Sequence, residues 1–313
     1  MPAAETKQFK ANPGGGNGAN SAYLNKTAEG FKSHKETGAR AIGTTSWVQD
    51  KIAAGDIEGG MAAGQSGTSI FDPVICEIAY RWFCPPAGVV LDPFAGGSVR
   101  GIVASHLGRR YIGIELQAKQ IAANMAQLGL AKEPAPEWRQ GDARALDALA
   151  GDITADFIFS CPPYWNLEVY SDDPADLSTM GLQEFLAAYR AIIAKACARL
   201  REHRFAAWVV SDVRDESGCY INLPGKTIEA FEAAGLRLYN EAILVTAVGS
   251  LPIRVRRAFE ISRKLGRTHQ NVLIFVKGNP TRATAACGAV EFGELEPQPD
   301  GAAPALAGVE ELQ

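Results

Sequence analysis

Two stretches combine residue types in an order that could do chemistry. VLDPFAGGSVRG (90–101) sets Asp92, Pro93, Phe94, Ala95, Gly96 and Gly97 between an apolar run and a helix-like segment. FIFSCPPYWN (157–166) drives an apolar run into Ser160, Cys161, Pro162, Pro163, Tyr164 and Trp165. In the first, glycines let the backbone approach a ligand, and the following helix start offers unpaired N–H groups and positive potential. The spacing is neither GxGxxG nor a P-loop with its lysine, so a dinucleotide or triphosphate is not the expected ligand. In the second, two prolines fix φ and remove N–H donors, which predicts a rigid corner whose carbonyls stay free to accept from an amino group. Tyr164 and Trp165 offer ring faces on which a planar base could stack.

Two further acids extend the pattern. Glu115, followed by Leu116, ends the strand-like RRYIGIEL, and Asp142, followed by Ala143, lies in RQGDA. An acid at the end of the second strand of a Rossmann-like sheet can hold a ribose diol. Asp142 would reach the same crevice and could accept from an adenine amino group. A ribose and an adenine without a phosphate site suggest S-adenosylmethionine. Taken singly, Asp92 could be a helix cap, Glu115 a surface charge and Asp142 a turn former.

The elements that must position these residues alternate along the chain. Strand-like runs occur at 88–95, 109–116, around Trp138, and at 155–160, 205–213, 238–245 and 271–278. Between them lie helix-like segments at 98–107, 117–128, 182–200 and 227–234. Such alternation predicts an α/β fold with a doubly wound, mostly parallel, Rossmann-like sheet. The last two strands, with no ordinary crossover helix evident between them, predict an antiparallel edge hairpin.

The chain has 313 residues, 47% of them hydrophobic, a net charge of −4 and a sequence pI of about 5.7. No run approaches the roughly 18 consecutive apolar residues of a membrane span, and no apolar signal-peptide core opens the chain, so a cytoplasmic location is expected. Six cysteines are scattered without metal-ligand spacing, so neither a metal site nor a disulfide framework is expected. Residues 1–45, rich in Gly, Asn and Ala, read as a flexible head; 46–280 as the folded unit; 281–313, rich in Ala, Pro and Glu, as a disordered tail.

VLDPFAGGSVRG, YIGIEL, QGDA and FIFSCPPYW, in that order, resemble the amino-methylating DNA methyltransferases, which methylate adenine N6 or cytosine N4. The resemblance covers about 70–280 and implies a class I methyltransferase fold, S-adenosylmethionine as cofactor and double-stranded DNA as partner. It places Asp92 to Gly97 at the methionine end of the cofactor, Glu115 and Leu116 at the ribose, and Asp142 and Ala143 at the adenine. SIFDPVICEIAYRWFCPPAG (69–88) resembles the helix ahead of the glycine turn, which brings Phe71 near the methionine moiety. The corner from Ser160 to Trp165 would hold the amino group that is methylated, with no metal required. Where this family carries Asp, Asn or Ser, the chain has Cys161, a weaker hydrogen-bond partner. Ser160 points to the other side of an extended strand. A nucleophilic Cys161, as in cytosine C5 methylation, lacks the accompanying motifs.

Two segments are candidates for target contact. WNLEVYSDDPADLSTM (165–180) reads either as a capping loop or as a lid bringing Glu168, Tyr170 or Asp173 to the pocket. Within 246–270, Arg254, Arg256, Arg257, Arg263, Lys264 and Arg267 face a single acid, Glu260, which suits phosphate contact. Asp212 or Arg214 at the end of strand five could join the cleft. Competing readings are transfer to RNA or to a protein amide, and a DNA-binding subunit with weakened catalysis. A restriction-modification setting and a homodimer are both compatible with this chain.

Overall fold

The computed structural model describes residues 71–245 and 251–290, with the side chains of 251–254 and 257 outside that set. The expected head (1–45) and most of the expected tail lie outside the described residues. Helix α1 (Pro73–Phe83) leads into β1 (Val89–Asp92), α2 (Val99–His106), β2 (Arg110–Glu115), α3 (Ala118–Ala126) and β3 (Glu137–Gln140). Then come α4 (Leu146–Leu149), β4 (Ala155–Ser160), α5 (Leu182–Arg199), β5 (Leu200–Val210), α6 (Leu223–Ala233) and β6 (Leu236–Val245). The helix α7 (Leu251–Ser262), β7 (His269–Lys277) and α8 (Pro280–Cys287) complete the order.

The strands form one sheet in the order β3-β2-β1-β4-β5-β7-β6. The pairs from β3 to β5 are parallel, while β7 runs antiparallel to both β5 and β6. The expected antiparallel pair, β6 with β7, is therefore present at one edge of the sheet, with β6 outermost and β7 between it and β5. A helix, α7, lies between those two strands, within the basic segment. Its run of arginines masks the apolar period by which a helix is recognised.

Strand alternation sends successive side chains to opposite layers. On β4, Phe157 and Phe159 meet the Tyr80 ring of α1 at 6.2 and 5.5 Å, while Ile158 joins Phe185, Tyr189 and Ile192 of α5 in the other core. Burial of each such aromatic contributes about 1.5–3 kcal/mol. The sheet is thus clamped on both faces, and its loops at the carboxyl ends are free to build a site.

Two boundaries differ from the sequence reading. β5 begins at Leu200, which pairs with Ala155 ahead of a register shift, and Arg204 pairs with Lys277, even though the charged residues between look like loop. Residues 281–287, expected in a disordered tail, are helical: Asn279 caps α8 through the Arg282 N–H at 3.0 Å, and Ala283 and Cys287 are buried. Pro280 at the first helical position and two small apolar residues one turn apart explain this.

Candidate active site

β1 and β4 are parallel neighbours in the middle of the sheet, with Leu91 opposite Ile158, and their onward connections diverge. A crevice opens at such a switch point. Asp92, fully buried at the end of β1, holds its two sides together. Its Oδ1 accepts from the Phe94 N–H at 3.0 Å and from the Ser160 hydroxyl at 2.5 Å. Its Oδ2 accepts from Arg100 Nε at 2.6 Å and from the Tyr111 hydroxyl at 2.7 Å.

These four donors saturate the carboxylate. Asp92, expected at the methionine end of a cofactor, instead shapes the turn from beneath. Arg100, 4% exposed, also donates through Nη2 to the Phe94 and Ala95 carbonyls at 2.5 and 2.9 Å and lies 4.6 Å from the Phe71 ring centroid. Phe71 therefore packs on this ion pair and, edge-on, on Phe159 at 5.7 Å.

The turn itself is open. Pro93 and Ala95 are buried, Phe94 packs edge-on against Trp208 at 5.9 Å, and Gly97 is exposed. Gly96 has φ +51°, and a Cβ at Gly96 or Gly97 would meet nothing within 4 Å, so the backbone borders free space. Asn124 of α3 donates to the Gly96 carbonyl at 2.8 Å. Glu115 Oε2 accepts from the Gly96 N–H at 2.9 Å and Oε1 from the Gln117 N–H at 2.8 Å.

Each Glu115 oxygen keeps a lone pair, which suits a ribose diol. Burial lifts the Glu115 carboxyl above its ordinary value, against the pull of the Gln117 and Gly96 N–H groups. Leu116 is half-buried beside it. Asp142 caps the turn that starts at Ala143, accepting from the Arg144 N–H at 2.8 Å and from Arg144 Nε at 2.7 Å. Its expected role toward adenine therefore competes with an internal partner. Ala143 is buried at the foot of that turn.

At the corner, the outcome differs residue by residue. Ser160 is committed to Asp92 and leaves no hydroxyl for a target. Pro162 is buried and Pro163 half-buried. Cys161 Sγ lies 3.2 Å from the Tyr164 hydroxyl, which also donates to Gln270 Oε1 of β7 at 3.4 Å. Burial pushes the Cys161 thiol above its ordinary value, so the sulfur stays protonated at neutral pH and is a poor nucleophile.

Trp165, expected to stack, is instead a core residue. It is buried, its indole N–H donates to the Met180 carbonyl at 3.0 Å, and it belongs to the cluster around Phe185. The segment 165–180 is a folded loop: Asp176, 4% exposed, accepts from the Ser178 N–H at 2.9 Å and from the Ser171 hydroxyl at 2.8 Å. Gln117 Nε2 donates to the Tyr170 carbonyl at 3.3 Å, which ties the loop to the end of β2. Tyr170 donates to Glu168 at 2.9 Å, whereas Asp173 caps Ala175 at 2.8 Å.

Asp212 likewise caps, accepting from the Leu223 N–H of α6 at 3.0 Å. In the basic segment, Arg256 is exposed and pairs with Glu260 at 3.1 Å, and Arg263 lies 5.1 Å from the Phe259 ring centroid. Lys264 and Arg267 are half-buried, while the side chains of Arg254 and Arg257 fall outside the described residues. Sequence reasoning missed Arg100, Tyr111, Gln117, Asn124 and Gln270. An arginine inside the apolar VRGIVAS helix was the available signal for Arg100; the others reach the crevice by pairings that spacing does not encode.

A family model, N6_N4_Mtase, matches residues 80–126, from within α1 to the end of α3. Its description is DNA methylase. The DNA methylase match spans the glycine turn and Glu115 and stops before the proline corner. No curated protein matches the sequence. Among solved structures, TrmN from Thermus thermophilus is similar at 18% identity and TM-score 0.44, over 66% of this chain and 49% of TrmN. A TehB-like SAM-dependent methyltransferase from Corynebacterium glutamicum shows 16% identity and TM-score 0.42, over 74% of this chain and 98% of its own. A methyltransferase from Pyrococcus furiosus shows 16% identity and TM-score 0.43, over 75% and 100%.

The sheet is doubly wound and mostly parallel, as expected, and the DNA methylase match over its glycine turn implies S-adenosylmethionine as the cofactor. The open glycine turn and the half-buried Glu115 carboxylate fit that ligand. Among the described residues there is no group of three or more His, Cys, Asp or Glu that could hold a metal ion, and no helix long and apolar enough to cross a membrane.

Proposed function

We propose that the chain is a DNA methyltransferase acting on an exocyclic amino group, adenine N6 or cytosine N4, of a base turned out of the duplex. The observation that carries this reading is the 2.5 Å hydrogen bond from Ser160 to Asp92, which locks the proline corner against the glycine turn. A group held at Cys161–Tyr164 is thereby set beside a ligand lying along Gly96, Gly97 and Glu115.

S-adenosylmethionine would supply an electrophilic methyl group whose bond to sulfur breaks as the bond to nitrogen forms. The protein's part is positioning and exclusion of water. Carbonyls of the corner accept the amino hydrogens and turn the nitrogen lone pair toward the methyl, and the Tyr164 ring packs against the base. The amino proton leaves to solvent after transfer. The Cys161 thiol, kept neutral by burial, acts as a weak hydrogen-bond partner at the corner. Arg256, Arg263, Lys264 and Arg267, within the 246–270 insertion, contact phosphates in this reading.

The test is transfer of a tritiated methyl group to unmethylated duplex DNA, with RNA and protein as parallel acceptors, followed by identification of the modified base. Label in N6-methyladenine or N4-methylcytosine supports the reading. Label only in RNA or protein, or tight cofactor binding without transfer to any acceptor, overturns it.

A further inference from the structure

Between β5 and α6, residues 211–222 fold into a small hairpin that the target-binding reading does not use. Arg214 and Tyr220 form an antiparallel bridge, and Ile221 N–H donates to the Val213 carbonyl at 3.0 Å. At its tip, Gly218 has φ +85°, and a Cβ there would come within 2.6 Å of the Lys264 ammonium. The positive φ is what calls for glycine there, and the Lys264 side chain lies against the tip.

The hairpin presents one aromatic ring among cations. Tyr220 is 44% exposed. The Arg214 guanidinium carbon lies 3.8 Å from its ring centroid and that of Arg267 5.5 Å. Arg267 directs Nε and Nη2 at His269 Nε2, 3.3 and 3.2 Å away, whereas its Nη1 is buried without a hydrogen-bond partner among the described residues. Of the hairpin's acids, Asp215 accepts from the Ser217 hydroxyl and the Cys219 N–H at 2.6 and 3.1 Å within the turn, and Asp212 caps α6. Glu216 is exposed at the tip. Among the described residues, Arg214, Lys264 and Arg267 form no ion pair.

This surface lies at the mouth of the crevice. Val210 at the end of β5 pairs with Asn271 near the start of β7, and the neighbouring Gln270 accepts from Tyr164 of the proline corner. A partly exposed ring, flanked by guanidiniums and an ammonium, is how proteins stack a nucleobase and hold its phosphate.

We propose that Tyr220, with Arg214, Lys264 and Arg267, is a platform for a nucleotide next to the target base: the ring takes the base, and the cations take the adjoining phosphate. This rests on the DNA reading and assigns part of its grip to a hairpin outside the 246–270 insertion.

The experiment is fluorescence anisotropy of a short labelled duplex with the full chain, titrated across salt concentrations. Tyr220→Ala is expected to weaken binding about tenfold at fixed salt while leaving the salt slope unchanged, and Tyr220→Phe to bind as wild type. Arg267→Gln is expected to reduce the slope of log affinity against log salt by about 1. Cofactor affinity, measured in parallel, stays at the wild-type value in all three if the variants are folded. Wild-type-like affinity in Tyr220→Ala overturns the platform and leaves the DNA reading standing. A wild-type chain that binds no duplex at any salt overturns the DNA reading and the platform together.

Discussion

The two halves of the crevice are built to different standards. On the β1–β2 side, Asp92 and Glu115 are held by bonds of 2.5–3.0 Å, and Asp92 has all its acceptor positions filled. On the β4–β7 side, Tyr164 reaches Gln270 only at 3.4 Å and otherwise meets the weakly bonding Cys161 thiol, and among the described residues the nearby Arg267 leaves a buried N–H unpaired. Buried, fully satisfied networks rigidify; loosely satisfied ones exchange partners cheaply. The first side is preorganised for one ligand, whereas the second can trade internal contacts for a target. The family match likewise covers the rigid side alone.

The largest expected effect breaks the rigid side. Arg100→Met leaves Asp92 buried without its cation, which should cost about 3–5 kcal/mol of stability, seen as a collapse of the thermal midpoint. Adding Asp92→Asn to that variant removes the stranded charge and should recover part of the loss. If Arg100→Met melts like wild type, the Asp92 network is not the frame described here.

On the loose side, Tyr164→Ala should lower methyl transfer about 100-fold, because a misplaced acceptor loses alignment, while cofactor affinity by calorimetry stays nearly intact. Equal loss of both would remove the distinction between the two sides. Glu115→Ala should do the converse, raising the cofactor dissociation constant about tenfold through loss of hydrogen bonds to a charged group.

The pH dependence follows from the same carboxylate. With its pKa raised by burial in the folded protein, Glu115 favours the folded state more at low pH, and that contribution fades as pH rises from the unfolded carboxylate value through the raised one. Cofactor binding has the opposite sign, since the ribose hydroxyls need the ionised form. Affinity should therefore weaken as pH falls through the raised value, and Glu115→Gln should flatten that profile in calorimetry at a series of pH values. The smallest effect is expected from Cys161→Ser, a few-fold rise in turnover, because a hydroxyl is a stronger hydrogen-bond partner than a thiol. A sharp fall in turnover would instead make the sulfur essential.

Legibility in the sequence divides along the same line. β4 was readable to the residue because a buried parallel strand is a continuous apolar run, and the glycine turn was readable because few residues tolerate its backbone. Trp165 was misjudged as a stacking face, since an aromatic after a turn looks alike whether it faces solvent or, as here, donates to Met180 in the core. Asp92 stands out in the sequence, but a single acid does not announce that Arg100, Tyr111 and Ser160, up to 68 positions away, will converge on it.

By itself, then, the sequence determined most of the elements, the doubly wound sheet, and the order of glycine turn, acids and proline corner, because these depend on local backbone preference and periodic burial. Tertiary structure alone decided which polar groups are consumed internally and which face the crevice. It sealed Asp92 beneath the turn, withdrew Trp165, joined Tyr164 to Gln270 across 106 positions and brought Arg267 to Tyr220. Hydrogen-bond saturation is a property of neighbours in space, and strand order and register choose those neighbours.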